Sequence, residues 1–379
     1  MCWRSTRWWH TCGRVPADRT AARRAALVTR FADLQVHGLI VSHLPNIRYL
    51  TGFTGTAGVA LVLPEETVLV TDFRYRTQAQ EELGAAVRVD IVAADVWERV
   101  GQLAASGGGV DRVGYEAQAM TVADLERLAR GGRGTGRWAP VTGAVEALRV
   151  SKEPGEVAAI RAAAVLASEA LSATMGCIRP GLSERDVATR LEAELRRRGS
   201  EWHPFPTIVA SGPRSALPHA RTSDRRLERG DWLLLDFGAQ MDGYCADLTR
   251  TVVVGARADE RQRAVYHLVR DAQLVARTSL RAGMSGRDGD ALARSLIDAR
   301  GFGDAFGHSL GHGLGLEVHE APRLSRANEQ PLPLHAVVTV EPGAYFPGWG
   351  GVRLEDDVYL GPAGPELLSD GDTELRELV

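Results

Sequence analysis

Four carboxylates occupy matching places in the second half of this chain. Asp236 follows the apolar run Trp232-Leu233-Leu234-Leu235, and Asp247 comes shortly after it. Glu341 follows Val337-Val338-Thr339-Val340, and Glu355 follows Val352-Arg353-Leu354. Short apolar runs of this kind read as buried strands. Asp242-Gly243 is a tight-turn signal between the first pair, and a Pro/Gly-rich turn at 347–351 separates the second. The chain is therefore expected to reverse twice, with one strand ending at Asp236 and Asp247 lying across from that end. Asp236 and Asp247 alone read equally well as a turn residue and a cap. Two acid-tipped strand pairs change the argument. A buried carboxylate is costly without a partner, and four that converge require cations between them.

Between these pairs runs Gly307-His308-Ser309-Leu310-Gly311-His312-Gly313-Leu314-Gly315-Leu316-Glu317-Val318-His319-Glu320. Its glycines permit close backbone approach. A lone histidine is usually a core or surface residue, but three beside four strand-end acids point to a ligand. One imidazole with four carboxylates is an oxygen-rich donor set that suits Mn²⁺, Co²⁺ or Fe²⁺ rather than a thiolate zinc site. Five ligands exceed what one tetrahedral ion uses, so a bridged pair of divalent ions is expected.

The elements that must position these groups fall into two parts. From Ala21 a helical pattern carries Ala25, Leu27, Val28, Phe31, Leu34 and Val36. A strand at Gly38–Val41 and a hairpin over Val59–Leu63 and Thr67–Thr71 follow. Asp72, Arg74 and Tyr75 could face a ligand after that hairpin, but they read better as structural. The composition turns polar around Val150–Gly155, which sets the expected boundary. We expect an extension over 1–20, an α/β domain over 21–147 and a second domain over 152–379. In the second domain Arg179-Pro180-Gly181-Leu182-Ser183 resembles Arg281-Ala282-Gly283-Met284-Ser285, and Arg198-Gly199 pairs with Arg300-Gly301 at the same offset. A duplication packed around a pseudo-twofold axis, with a site at the junction, is the expected arrangement.

Composition narrows the function classes. Hydrophobic residues at 44% and charged residues at 25% exclude a disordered chain, and a net charge of −3 over 379 residues gives no reason to expect nucleic acid or anionic membrane as a partner. No uninterrupted apolar stretch is long enough to span a membrane. Cys2, Cys12, Cys177 and Cys245 form no CxxC pair and no disulfide framework, which fits a reduced, cytoplasmic protein. Lys152 is the only lysine; the arginine bias accompanies high Ala and Gly and needs no functional cause.

The chain resembles the pita-bread metallopeptidases that act on Xaa-Pro bonds, aminopeptidase P and prolidase. The motifs are Leu235-Asp236-Phe237-Gly238, Ala246-Asp247-Leu248-Thr249-Arg250-Thr251, the histidine run, Val340-Glu341-Pro342-Gly343 and Gly351-Val352-Arg353-Leu354-Glu355-Asp356. Tyr49-Leu50-Thr51-Gly52-Phe53-Thr54-Gly55 is similar to the creatinase-type N-terminal domain of the same proteins. The resemblance implies an α+β chain: a creatinase-like α/β domain, then a pseudo-twofold pita-bread catalytic domain. It implies Asp236, Asp247, His312, Glu341 and Glu355 as ligands of two divalent ions, Mn²⁺ foremost, with Asp247 and Glu355 bridging. It places His219, His308, His319 and Arg353 around the substrate. Ala220 stands where many relatives have glycine, which bears on His219 if that position needs a positive φ. A homodimer or higher oligomer is implied, with the N-terminal domain shaping the entrance.

The function expected is an Xaa-Pro aminopeptidase that cleaves before a second-position proline through a metal-bridging hydroxide. His319 would donate to the oxyanion, Glu341 would move the proton, and His308 would sit near the scissile bond. The alternative is an Xaa-Pro dipeptidase, for which Arg323 could hold the substrate carboxylate. A pita-bread scaffold without catalysis is the third reading.

Overall fold

The structure, a computed structural model, describes residues 17–106, 111–132 and 138–379. Most of the expected 1–20 extension lies outside these residues. They form two compact units that meet in sequence at Arg149 and Val150.

The first unit is built on a six-stranded sheet. Its elements are α1 (Ala17–Thr29), β1 (Gly38–Val41), α2 (Leu44–Thr51), β2 (Val59–Val62), β3 (Thr67–Asp72), α3 (Arg76–Leu83), β4 (Arg88–Val92), α4 (Val96–Ser106), β5 (Val113–Glu116), α5 (Val122–Gly131), β6 (Trp138–Val141) and α6 (Glu146–Arg149). The strand order is β4-β3-β2-β1-β5-β6. The expected hairpin is β2–β3, antiparallel, while β1–β5, β3–β4 and β5–β6 are parallel. Helix α1 starts at Ala17, earlier than the Ala21 expected, because Thr20 is buried next to Gly52 and Arg23 donates to the Tyr49 carbonyl at 3.1 Å. Asp72 caps the turn after β3: it accepts from the Arg74 amide at 3.0 Å and from its guanidinium at 2.7 and 2.8 Å. That is the structural reading of Asp72 and Arg74.

The second unit holds the paired acids. Its elements are α7 (Pro154–Met175), α8 (Glu184–Arg198), β7 (Ile208–Ser211), β8 (Trp232–Met241), β9 (Tyr244–Val254), α9 (Glu260–Ser279), α10 (Gly286–Ala299), β10 (Gly311–Gly313), β11 (Glu320–Leu324), β12 (Val337–Val340), β13 (Gly343–Phe346), β14 (Gly350–Arg353), β15 (Asp356–Gly361), β16 (Gly364–Leu367) and β17 (Glu377–Leu378). One sheet runs β17-β9-β8-β7 and another β11-β10-β12-β15-β16, with β13–β14 a separate hairpin. Helix α7 is long and apolar enough to cross a membrane by composition, but it is mostly buried against β8, β9 and α8, as a core helix is.

The two copies of the repeat fold alike. Gly181 and Gly283 both take a left-handed φ, at 90° and 87°. Ser183 and Ser285 both cap the next helix by accepting from Asp186 and Asp288 amides at 3.0 Å. Gly181 N donates to Leu227 O as Gly283 N donates to Leu332 O, and Leu227 N and Leu332 N donate back to Leu182 and Met284. Around the second copy, Leu268, Ala272, Ile297, Phe306, Val338 and Leu360 make one core. Each large side chain buried there contributes roughly 1.5–3 kcal/mol.

Candidate metal centre

The first acid pair comes from one hairpin. Asp242 (φ 49°) and Gly243 (φ 74°) make the two-residue turn, the twist-matched kind for a hairpin. The strand does not end at Asp236, contrary to expectation. β8 continues to Met241, because pairing with β9 is unbroken from Trp232 to the turn. Asp236 therefore lies mid-strand opposite Thr249, and Asp247 lies opposite Gly238. Residues two apart on a strand share a face, so Asp236, Gly238, Asp247 and Thr249 project together.

The second pair comes from the other sheet. Glu341 follows the last residue of β12, as expected. The β13–β14 hairpin carries the chain back to Glu355, which bridges to Thr249. Thr249 Oγ1 donates to Glu355 Oε2 at 2.6 Å. Along β15 the faces alternate. Asp357 Oδ2 accepts from the Asp247 amide at 3.2 Å, on the side of the site. Asp356 faces away, where it accepts from Arg250, Gln273, Arg277 and Ser369 at 2.6–2.9 Å. Burial raises the Asp356 carboxyl, but these cations and donors outweigh it and hold it below its ordinary value.

His312 arrives on β10, squeezed between β11 and β12. A Cβ on Gly311 would sit 2.0 Å from the Thr339 carbonyl, and one on Gly313 would sit 2.1 Å from the Ala321 carbonyl. Only glycine lets the three backbones meet there. His312 Nδ1 lies 3.0 Å from the Gly313 carbonyl, which can only accept, so Nδ1 carries the proton. Burial pulls the imidazole down to about 4, so it is neutral at pH 7. The bare Nε2 then points at Glu341 Oε1 (3.4 Å) and Asp247 Oδ2 (3.7 Å). This is the tautomer a metal ligand needs.

The charge balance is unfavourable without cations. Burial raises Asp236, Asp247 and Glu355, and for Asp247 and Glu355 the neighbouring carboxylates push further. Glu341 is pushed by burial to about 8. Asp247 Oδ1 is buried with no hydrogen-bond partner, and Asp247, His312 and Glu355 each bring a donor atom within 4.8 Å of the others. A buried carboxylate oxygen without a partner, next to a bare imidazole nitrogen, fits a divalent ion.

Arg353 is a buried cation inside the cluster. Its Nη2 donates to Asp236 Oδ2, its Nε to Thr249 Oγ1 at 3.2 Å, and its Nη1 to Tyr345 Oη at 2.8 Å and Pro218 O at 3.2 Å. The buried guanidinium is thus committed to the protein, although a substrate contact was expected. His308 Nδ1 donates to Ser309 O at 2.8 Å, and its Nε2 meets Tyr345 Oη at 2.9 Å. Burial lowers His308 to about 4. A neutral ring already donating from Nδ1 must accept at Nε2, so Tyr345 donates to it, and His308 has no proton to give.

The other expected residues lie at the edge. His319 is exposed, with its ring 4.4 Å from that of His312. His219 is exposed and acts electrostatically on Asp236. Ala220 does not take a positive φ, so alanine is no obstacle there. Arg323 pairs directly opposite His312 across β10–β11. Thr249, Thr339 and Tyr345 were not anticipated. Thr339 Oγ1 accepts from the His312 amide at 3.1 Å and donates to Glu341 Oε1 at 3.2 Å. Strand alternation carries the signal for the two threonines, since each stands two residues from an acid.

Two family models match the chain. The creatinase/prolidase N-terminal domain covers residues 23–151, and metallopeptidase family M24 covers residues 158–362. An Xaa-Pro dipeptidase of Pyrococcus horikoshii is 34% identical over 342 residues, 90% of this chain and 94% of that protein. The structure of an Xaa-Pro dipeptidase from Bacillus anthracis superposes with a TM-score of 0.91 at 36% identity, covering 94% of this chain and 99% of the other. An X-Pro aminopeptidase structure from Thermotoga maritima gives 0.85 at 33% identity, over 93% and 99%. The chain belongs to metallopeptidase family M24 and carries the creatinase/prolidase N-terminal domain.

Proposed function

We propose that this metallopeptidase hydrolyses Xaa-Pro dipeptides with two divalent ions, Mn²⁺ foremost. Asp236, Asp247, His312, Glu341 and Glu355 would hold the ions. When bound, the ions supply Lewis acidity and an acidified water. Glu341 takes the proton of the attacking water and carries it to the leaving proline nitrogen. His319 donates to the developing oxyanion. Arg353 and Tyr345 orient Asp236 and His308, and His308 and His219 flank the substrate rather than transfer protons. A proline amide offers no N–H, so shape must recognise it.

One observation favours the dipeptide reading over the aminopeptidase expected from the sequence. Arg323 sits opposite His312 in register, and its charge acts on His312, His319 and Glu341. A cation at that place suits the free carboxylate of a dipeptide, which in a longer peptide is an amide. The relatives named Xaa-Pro dipeptidase lend the same support. Mass spectrometry of Ala-Pro and Ala-Pro-Ala, each incubated with Mn²⁺-loaded and chelated enzyme, tests this. Cleavage of Ala-Pro with the tripeptide intact is expected. Release of Pro-Ala from the tripeptide would make the enzyme an aminopeptidase, and two intact peptides would leave a scaffold.

A further inference from the structure

Lysine is used once in this chain, and every other strongly basic side chain is arginine. Compositional bias explains the arginines and leaves Lys152 as the exception. Lys152 stands just before α7, where its amide donates to His335 O at 2.9 Å and Ser151 Oγ donates to Leu334 O at 2.8 Å. Its side chain is 1% exposed, and Nζ lies 2.9 Å from Oε2 of Glu320, itself 7% exposed. An ammonium is compact, whereas a guanidinium is a wide planar fork. A closed site shaped around the first does not take the second without displacement.

Glu320 follows His319 in the chain. Its Oε1 accepts from the Glu317 amide at 3.1 Å. Its carboxylate lies against Gly315, where a Cβ would come within 2.8 Å of Oε2. Gly315 N donates to Glu317 O at 2.9 Å, and Gly315 O accepts from Cys245 N at 2.7 Å. The segment 315–320 is therefore fastened to β9 just before Asp247, and again to Lys152. Between these fastenings hangs His319, solvent-exposed, with its ring 4.4 Å from that of His312.

We propose that the buried Lys152–Glu320 pair is a positioning device for His319, holding its segment so that the imidazole stands over the metal centre. Lys152 and Glu320 touch no reacting atom and act through His319. The inference rests on the peptidase reading above.

The test is a double-mutant cycle on Ala-Pro with Mn²⁺-loaded enzyme. K152M and E320Q should each lower kcat on the order of 10-fold, as a small misplacement of a catalytic group does, with KM moving less. Mn²⁺ affinity by calorimetry should not change. K152R should fail to restore kcat, because charge alone does not fill the site. K152M combined with H319A should be no slower than H319A alone, since both act through one ring. Losses that multiply in the double variant, or wild-type kcat in both single variants, would overturn the proposal. If K152M does not fold, E320Q keeps the side-chain shape and completes the cycle with H319A. Histidine ring NMR of the metal-free protein gives a readout without turnover. The signal missing in H319A should move in E320Q while those of His308 and His312 stay, and an unmoved signal overturns the proposal. If the wild type cleaves no Xaa-Pro peptide, the peptidase reading fails and the NMR arm still decides the positioning.

Discussion

Thr249 Oγ1 donates a 2.6 Å hydrogen bond to Oε2 of Glu355, joining the strand that carries Asp247 to the turn that carries the last acid. The same hydroxyl accepts from Arg353 Nε at 3.2 Å. One small side chain thus ties Glu355 to the Arg353 guanidinium, which in turn holds Asp236. Replacing Thr249 with Val keeps the shape and removes the bond. Metal affinity should fall about 10- to 100-fold, as for loss of a group that orients a ligand. Calorimetric titration with Mn²⁺ checks this; an unchanged dissociation constant refutes the role.

Metal-free protein should lose stability as pH rises. Glu341 has a folded value near 8 against an ordinary 4.5, and Asp247 and Glu355 are also raised. A raised carboxylate favours the folded state while it is protonated. That contribution is complete below about pH 4.5 and disappears as pH climbs through about 8. The melting temperature of the chelated protein should therefore decline from pH 5 to pH 9 by way of these groups. Added Mn²⁺ should flatten the slope, and equal slopes with and without metal would contradict it.

Asp247 has a buried oxygen, Oδ1, lacking a hydrogen-bond partner and lies beside His312. Asp247→Asn removes its charge at nearly constant volume. Metal binding and turnover should both be abolished, and full activity in a chelated sample of this variant would end the metal reading.

Arg323 separates the two substrate readings. Arg323→Gln should raise KM for Ala-Pro about 10-fold with a smaller change in kcat, since a charge-assisted contact to the bound substrate is lost. Steady-state kinetics decide it, and an unaltered KM would remove the main support for dipeptide selectivity.

Gly311→Ala should destabilise the second unit by about 1–3 kcal/mol, the cost of overpacking. Its new methyl would meet the Thr339 carbonyl at 2.0 Å, and backbone cannot swing aside. Denaturant melts measure the change, and a neutral result would show that β10 can shift away from β12.

Much of the centre is legible in linear form. Apolar runs before Asp236, Glu341 and Glu355, and glycines around His312, carry it, because burial and close approach restrict residue type. Two things were hidden. Asp236 looked like a strand end since charge usually marks one, yet unbroken pairing with β9 carries the strand past it. Arg353 looked available to substrate, but contacts to Asp236, Tyr345 and Pro218 from distant segments occupy it. Contacts of that range leave no local pattern. The first unit shows the same division: the β2–β3 hairpin is local and readable, while the parallel partners of β1 and β3 are not.

The duplicated halves of the second unit divide the carboxylates between them: Asp236 and Asp247 belong to the first, Glu341 and Glu355 to the second. During synthesis the β8–β9 hairpin leaves the ribosome roughly a hundred residues before Glu355 does, several seconds at ordinary elongation rates. His312, Glu341 and Glu355 follow in that order, so the first two acids wait for each remaining ligand in turn. A chain stopped before Glu355 would hold a folded hairpin and an incomplete cage. Assembly of the centre thereby waits on residues from both halves of the unit.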